Sequence, residues 1–260
     1  MNKFLLKALV LASVSVATFA NAQFRTRNRM DNLEDFDQQK FSWGFFLNGN
    51  RLDYRIVLNP RYGMNGNRNL VTSKESYSFG AGLITKFRLN DYLDVRIEPG
   101  LQFAQRQLFF STQYNDIYQN GNPQNAPFTP VALTEKDRVR DIKSTLVDVP
   151  VLLELHGERW YNSRPYIAAG VNYIVNLQSN SDSADDNQQQ IFRSTTHNFA
   201  WSAEMGIQFY FNKFKLTPAI RGTFFMNNEM VADNASTPPY WAAAVSTLQT
   251  RAVMFVLKFE

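Results

Sequence analysis

The stretch Tyr77-Ser78-Phe79-Gly80-Ala81-Gly82-Leu83-Ile84-Thr85-Lys86-Phe87-Arg88-Leu89 alternates without interruption. Tyr77, Phe79, Ala81, Leu83, Thr85, Phe87 and Leu89 share one parity; Ser78, Gly80, Gly82, Ile84, Lys86 and Arg88 share the other. A period of two is the period of an extended strand, whose side chains point alternately to opposite faces. One face here is apolar throughout and the other carries charge. That pattern predicts a strand between lipid on one side and a polar interior on the other.

Outward from this segment the pattern repeats over 93–103, 145–155, 167–177, 199–211, 216–224 and 251–259. The first strand is less regular. Phe41, Trp43, Phe45 and Leu47 share one parity, whereas Leu52, Tyr54, Ile56 and Leu58 share the other, which predicts a β-bulge near Asn48-Gly49. The connections alternate in length. Those at 90–91, 157–163 and 212–213 are short, and those at 58–76, 111–141, 178–196 and 227–246 are long and polar. Short periplasmic turns and long extracellular loops mark bacterial barrels. The expected fold is therefore all-β, an eight-stranded antiparallel transmembrane β-barrel over residues 41–260.

The segment before the barrel divides in two. Lys3 and Lys7 precede an apolar run from Leu5 to Ala20, followed by Ala20-Asn21-Ala22, so residues 1–22 are expected to be a signal peptide. Residues 23–40 read as a polar periplasmic tail, mobile, with Arg25, Arg27 and Arg29 ahead of Asp31, Glu34, Asp35 and Asp37. After Ala22 no apolar run approaches the roughly 18 residues of a spanning helix. In lipid only helices and closed barrels satisfy every backbone group, which again favours the barrel. Location in the outer membrane of a Gram-negative cell follows.

Hairpin register can be read from parity, because opposed residues share a face. A two-residue turn at Asn212-Lys213 pairs Phe211 with Phe214 and sets Glu204 opposite Arg221. A three-residue turn, Asn90-Asp91-Tyr92, sets Arg88 opposite Asp94 and Lys86 opposite Arg96. Arg88–Asp94 and Glu204–Arg221 are thus the expected structural lumen pairs. With Glu98, Asp148 and Glu154 they predict a salt-bridged filling, since about eight strands leave a bore only wide enough for side chains. Trp43, Tyr92, Phe209, Phe211, Phe214 and Phe259 are expected in a lower aromatic girdle, and Tyr54, Tyr77, Tyr173 and Trp201 in an upper one. Val253, Phe255, Leu257 and Phe259 end the chain at period two and resemble the insertion signal read by the barrel-assembly machinery.

No catalytic, cofactor or metal constellation is legible. The chain has no Cys and two His, His156 and His197, far apart in sequence. HExxH and nucleophile-elbow patterns are absent. The acidic loop residues Asp182, Asp185 and Asp186 lack the glycine turn and terminal glutamate of an EF-hand. Net charge is +4 with no basic cluster, which argues against nucleic acid. Outer-membrane lipid is the one partner that the pattern itself requires.

Three blocks carry a family resemblance: residues 36–58 (FDQQKFSWGFFLNGNRLDYRIVL), 88–103 (RLNDYLDVRIEPGLQF) and 146–177 (LVDVPVLLELHGERWYNSRPYIAAGVNYIVNL). They resemble the PorT family of outer-membrane barrels of the Bacteroidota, with Phe36-Asp37 and Trp43-Gly44-Phe45-Phe46-Leu47 the narrowest part of the match. The resemblance implies a non-catalytic component or assembly factor of the type IX secretion system, a link to gliding motility, and contacts with other components of that system. The other readings are a small barrel with adhesive or ligand-binding loops, or a narrow pore.

Overall fold

The computed structural model describes residues 32–60, 63–65, 67–111, 138–183, 192–232 and 242–260. The expected signal peptide lies outside the described residues. Twelve strands follow in order: β1 (Phe41–Leu58), β2 (Met64–Asn65), β3 (Arg68–Asn69), β4 (Val71–Lys74), β5 (Ser76–Arg88), β6 (Leu93–Ile97), β7 (Gly100–Phe110), β8 (Val139–His156), β9 (Ser163–Asn176), β10 (His197–Tyr210), β11 (Lys215–Phe225) and β12 (Val245–Phe259). β2 and β3 pair only with each other. The other ten form eight antiparallel walls. β4 and β5 are two segments of one wall, and β6 and β7 are two segments of the next. The ladder bridges the break at Glu98-Pro99, where Leu83 N–H donates to Pro99 O (2.9 Å) and Glu98 N–H donates to Pro150 O (3.1 Å).

β1 pairs with both β5 and β12, so the sheet closes and has no free edge. One row of cross-strand partners gives the geometry of closure. It runs from His156 through Tyr166, Gly206, Ala219, Val256, Asn48, Gly80 and Gln102, and returns to β8 at Leu146, ten residues away. Eight walls with that stagger imply strands tilted by about 40° and a backbone radius of about 8 Å. At that tilt the outward run from Tyr77 to Leu89 climbs about 30 Å, enough to cross a hydrocarbon core. Leu83, Ile167, Met205, Ile220 and Phe255 stand exposed on the outer wall, as lipid-facing residues must.

The bore is narrow enough that backbone crosses side chain. Phe46 is buried inside, and its ring lies over two glycines: a Cβ on Gly82 would come within 2.5 Å of that ring, and one on Gly100 within 2.8 Å. Both positions need glycine for this close approach.

β1 departs from expectation. It keeps register from Phe45 to Val57 with no bulge at Asn48-Gly49, and the one irregularity falls between Val57 and Leu58. The burial pattern alternates evenly through Tyr54. Leu52 and Tyr54 point into the barrel, while Arg51, Asp53 and Arg55 point out. The hydrophobic parity changes face because the surroundings change. Near the short turns the outside is lipid and the inside is polar. Near the long loops the inside is an apolar core, and Tyr54 joins Leu70, Val71, Leu108, Phe110, Ile142, Val245 and Leu248 there. Tyr54 therefore stands in the lumen and not in the upper girdle.

Candidate functional site: a filled lumen closed at both ends

The mouth at the short-turn end is covered by residues 32–40. A short 3-10 turn, Phe36–Gln38, lies within this strap, which then runs into β1. The carboxylate of Asp37 accepts the single Tyr210 Oη–H, with its two oxygens 2.9 and 2.7 Å from Oη, and lies 3.8 Å from Arg159 and 3.6 Å from Arg164. Arg159 stacks on the Tyr210 ring at 3.9 Å and donates to the carbonyls of Asn32, Leu33 and Tyr161. Asn32 N–H donates to Asn162 Oδ1 (2.8 Å), and Lys215 Nζ sits 4.9 Å from the Phe36 ring centre. The part of the N-terminal tail that is described is thus folded against the barrel. This differs from the mobile tail expected of a segment with no apolar period, because its order comes from polar contacts to the barrel's short turns.

Above the strap lie two buried ion-paired groups. Lys215 pairs with Glu260. Lys86 pairs with Asp94 (3.4 Å), and His156 Nε2 reaches Asp94 (2.6 Å) and Glu154 (3.2 Å). The centre of the lumen holds three cations and three carboxylates. Arg96 contacts Glu98 (3.1 Å), Glu204 (2.5 Å) and Glu154; Arg221 contacts Glu204 (2.5 Å) and Glu98; Lys258 contacts Glu98 (2.9 Å) and Glu204. Tyr166 Oη donates to Glu204 (2.7 Å), and Gln208 Nε2 donates to Glu154 (2.7 Å). All six charged groups are almost fully buried. Such a cluster is tolerable only because charge is balanced and most lone pairs are filled.

A polar layer around Asp148 follows. Asn172 Nδ2 donates to both oxygens of Asp148 (2.8 and 3.1 Å), Ser202 Oγ donates to Asn172 Oδ1 (2.7 Å), and Ser202 and Thr223 share a hydrogen bond of 2.8 Å. Next, Arg106 reaches Ser144 (2.7 Å), Glu229 (3.4 Å) and Thr250, with its guanidinium 4.6 Å from the Tyr54 ring centre. The apolar group around Leu108 and Leu248 completes the stack.

The register places all four expected lumen residues as cross-strand neighbours, Arg88 opposite Asp94 and Glu204 opposite Arg221. Contact follows for one pair. Glu204 and Arg221 are joined. Arg88, at the end of β5, turns to Asp91 and to the carbonyl of Gln38 (3.2 Å), while Asp94 faces Lys86 and His156. Lys86 and Arg96 are directly opposed, and each is drawn to its own carboxylates. Lys258 was missed although it sits on the inward parity of the last strand. Arg106 was missed because the third strand was ended at Phe103, and Glu229 lies beyond any periodic segment. Phe259, in the terminal stretch, stacks on Phe45 with ring centres 5.0 Å apart, and Val253 and Phe255 are exposed outward.

Among the described residues Asp94, Glu154 and His156 bring one ligand atom each within 4.8 Å of one another. Lys86 already holds Asp94, and Arg96 with Gln208 holds Glu154, so intramolecular donors occupy the carboxylates. His197 stands apart, within 2.7 Å of Tyr173 Oη on the outer wall. Among the described residues the arrangement is one of ion-paired groups, with the strap at one end and the apolar group around Leu108 and Leu248 at the other.

A family model described as "Outer membrane protein beta-barrel domain" matches residues 21–230. No curated protein matches. Solved structures similar to this chain include Neisserial surface protein A (8% identity, TM-score 0.39, covering 85% of this chain and 98% of that one). OprG from Pseudomonas aeruginosa is similar over 85% of this chain and 96% of that one (13% identity, TM-score 0.40). The attachment invasion locus protein of Yersinia pestis, solved with a heparin analogue, covers 85% and 99% (8% identity, TM-score 0.36).

Proposed function

Since this chain belongs to the outer membrane protein β-barrel domain family, we propose that it is a non-catalytic, non-conducting outer-membrane scaffold whose extracellular loops bind a ligand or an adhesion partner. The observation that carries this reading is the lumen. Balanced ion pairs fill its middle, the strap covers one mouth, and the apolar group around Leu108 and Leu248 fills the other. A wall with no free bore leaves the outside surfaces to act. Two of the long strands, β1 and β8, reach 18 residues each and lift the loops above the apolar belt.

The test replaces residues 112–137 and 233–241 by short turns. Loss of binding to cells or matrix, with heat-modifiable gel mobility retained, is the expected result. Unchanged adhesion would remove this reading, and single-channel conductance in a planar bilayer would remove the sealed lumen.

A second reading rests on the family resemblance in the N-terminal block, whose Phe36 and Asp37 anchor the strap. It takes the protein as an accessory or assembly factor of type IX secretion, contacting partner components on the periplasmic side. Loss of surface cargo on gene deletion, rescued by the loop-shortened protein, would favour it; normal secretion would dismiss it. Insertion through the barrel-assembly machinery by way of Val253, Phe255, Leu257 and Phe259 fits either reading.

A further inference from the structure

Outward-facing charge is unevenly spread round the upper girdle. At the level of the upper aromatic residues, five other walls present Tyr77, Phe103, Tyr173, Phe199 and Phe224. β1 and β12 instead present Arg51, Asp53, Arg55 and Arg251. Register fixes their arrangement: Arg51 opposes Val253, Asp53 opposes Arg251, and Arg55 opposes Gln249. Arg251 therefore lies diagonal to both Arg51 and Arg55, with Cα separations of about 7–8 Å. The long guanidinium side chains of Arg55 and Arg251 can converge on a single tetrahedral anion from that spacing, with Arg51 adding to the local positive charge.

The acids in the patch already have partners. Glu75 takes Arg51, with Arg51 Nε donating at 2.8 Å. Asp53 Oδ1 accepts the Tyr54 N–H (2.7 Å) and is bonded by Ser73 Oγ. Arg55 and Arg251 are exposed and have no ion pair or hydrogen bond to other described residues. The depth is also informative. Arg51 opposes Tyr77, and Arg251 opposes Phe224, whose ring stacks on Trp201 at 4.5 Å. Aromatic belts sit at headgroup level, so these cations stand where lipid phosphates lie. Guanidinium binds phosphate bidentately, which a lone surface charge does not.

We propose that the β12–β1 face, through Arg55 and Arg251 with Arg51 beside them, binds the phosphorylated headgroup of an outer-leaflet lipid. Solvated surface arginines would be scattered among the walls. These are confined to the adjacent β1 and β12, with Arg55 four residues farther out than Arg51, above outward Val253 and Phe255, which line the path of an acyl chain.

The full-length protein is placed in phosphatidylcholine nanodiscs containing lipid A, and retained lipid is counted by native mass spectrometry. The Arg55→Gln/Arg251→Gln protein should hold lipid A about 25-fold less tightly, at roughly fivefold for each cation removed near a membrane surface. Arg55→Lys/Arg251→Lys should keep most of the charge-driven part, and Lys143→Gln, outward but away from the patch, should change nothing. Enzymatically dephosphorylated lipid A should bind wild type no better than the double variant. Equal retention of lipid A by wild type and the double Gln variant overturns the proposal, as does equal retention of dephosphorylated lipid. Full displacement by millimolar inorganic phosphate would assign the site to a soluble anion and overturn the lipid. Heat-modifiable mobility of each variant reports folding separately.

Discussion

The buried charge cluster makes a quantitative prediction at Glu204. Its carboxylate contacts Arg96, Arg221 and Lys258 and accepts the Tyr166 hydroxyl. Glu204→Gln keeps the shape but removes one of three balancing negative charges, leaving a net positive lumen centre. Breaking a buried pair by removing one partner costs about 3–5 kcal/mol, against about 0–1 kcal/mol for a surface pair. With a guanidinium m-value of about 4 kcal/mol/M, the unfolding midpoint in lipid vesicles, followed by Trp fluorescence, should fall by roughly 1 M. Adding Arg221→Gln restores neutrality, so the double variant should be more stable than the sum of the single losses by at least about 1.5 kcal/mol. Additive losses, or a midpoint shift for Glu204→Gln below about 0.25 M, would refute the view that these groups are desolvated and mutually dependent.

Three further outcomes follow from single contacts. Tyr54→Phe should be neutral or slightly stabilising, because the buried hydroxyl has no hydrogen-bond partner among the described residues, whereas Tyr54→Leu loses the stack under Arg106 and should cost about 1–2 kcal/mol in the same denaturation assay. Gly82→Val should lower stability by about 1–3 kcal/mol by displacing the Phe46 ring and crowding the Pro99 carbonyl. Asp37→Ala removes the acceptor shared by Tyr210, Arg159 and Arg164; limited proteolysis should then cut the strap about tenfold faster while the barrel stays resistant.

Much of the wall was legible because lipid and a polar bore impose opposite chemistry on alternate residues. The Glu204–Arg221 register followed from the Asn212-Lys213 turn alone, and Phe211 N–H does donate to Phe214 O (2.9 Å). The reading failed where that contrast vanishes. Above Arg51 the outside is no longer apolar hydrocarbon, so the apolar parity of Leu52 and Tyr54 marks the inner face and not a bulge. Arg88 was assigned by register to Asp94, but at a strand end a long side chain can choose its partner, and Asp91 is nearer. The strap is held by Asp37, Arg159 and Tyr210, which lie far apart in sequence and share no period. Glu229 shows the same gap, reaching Arg106 and Thr250 from outside any strand.

The absence of Cys gives a clean background for the most direct test of the barrel itself. Single cysteines from Tyr77 to Leu89, labelled with an environment-sensitive fluorophore in bilayers, can be quenched by brominated acyl chains. The account predicts quenching at odd positions and protection at even ones throughout the stretch. Uniform quenching, or a maximum every three to four residues, would contradict it.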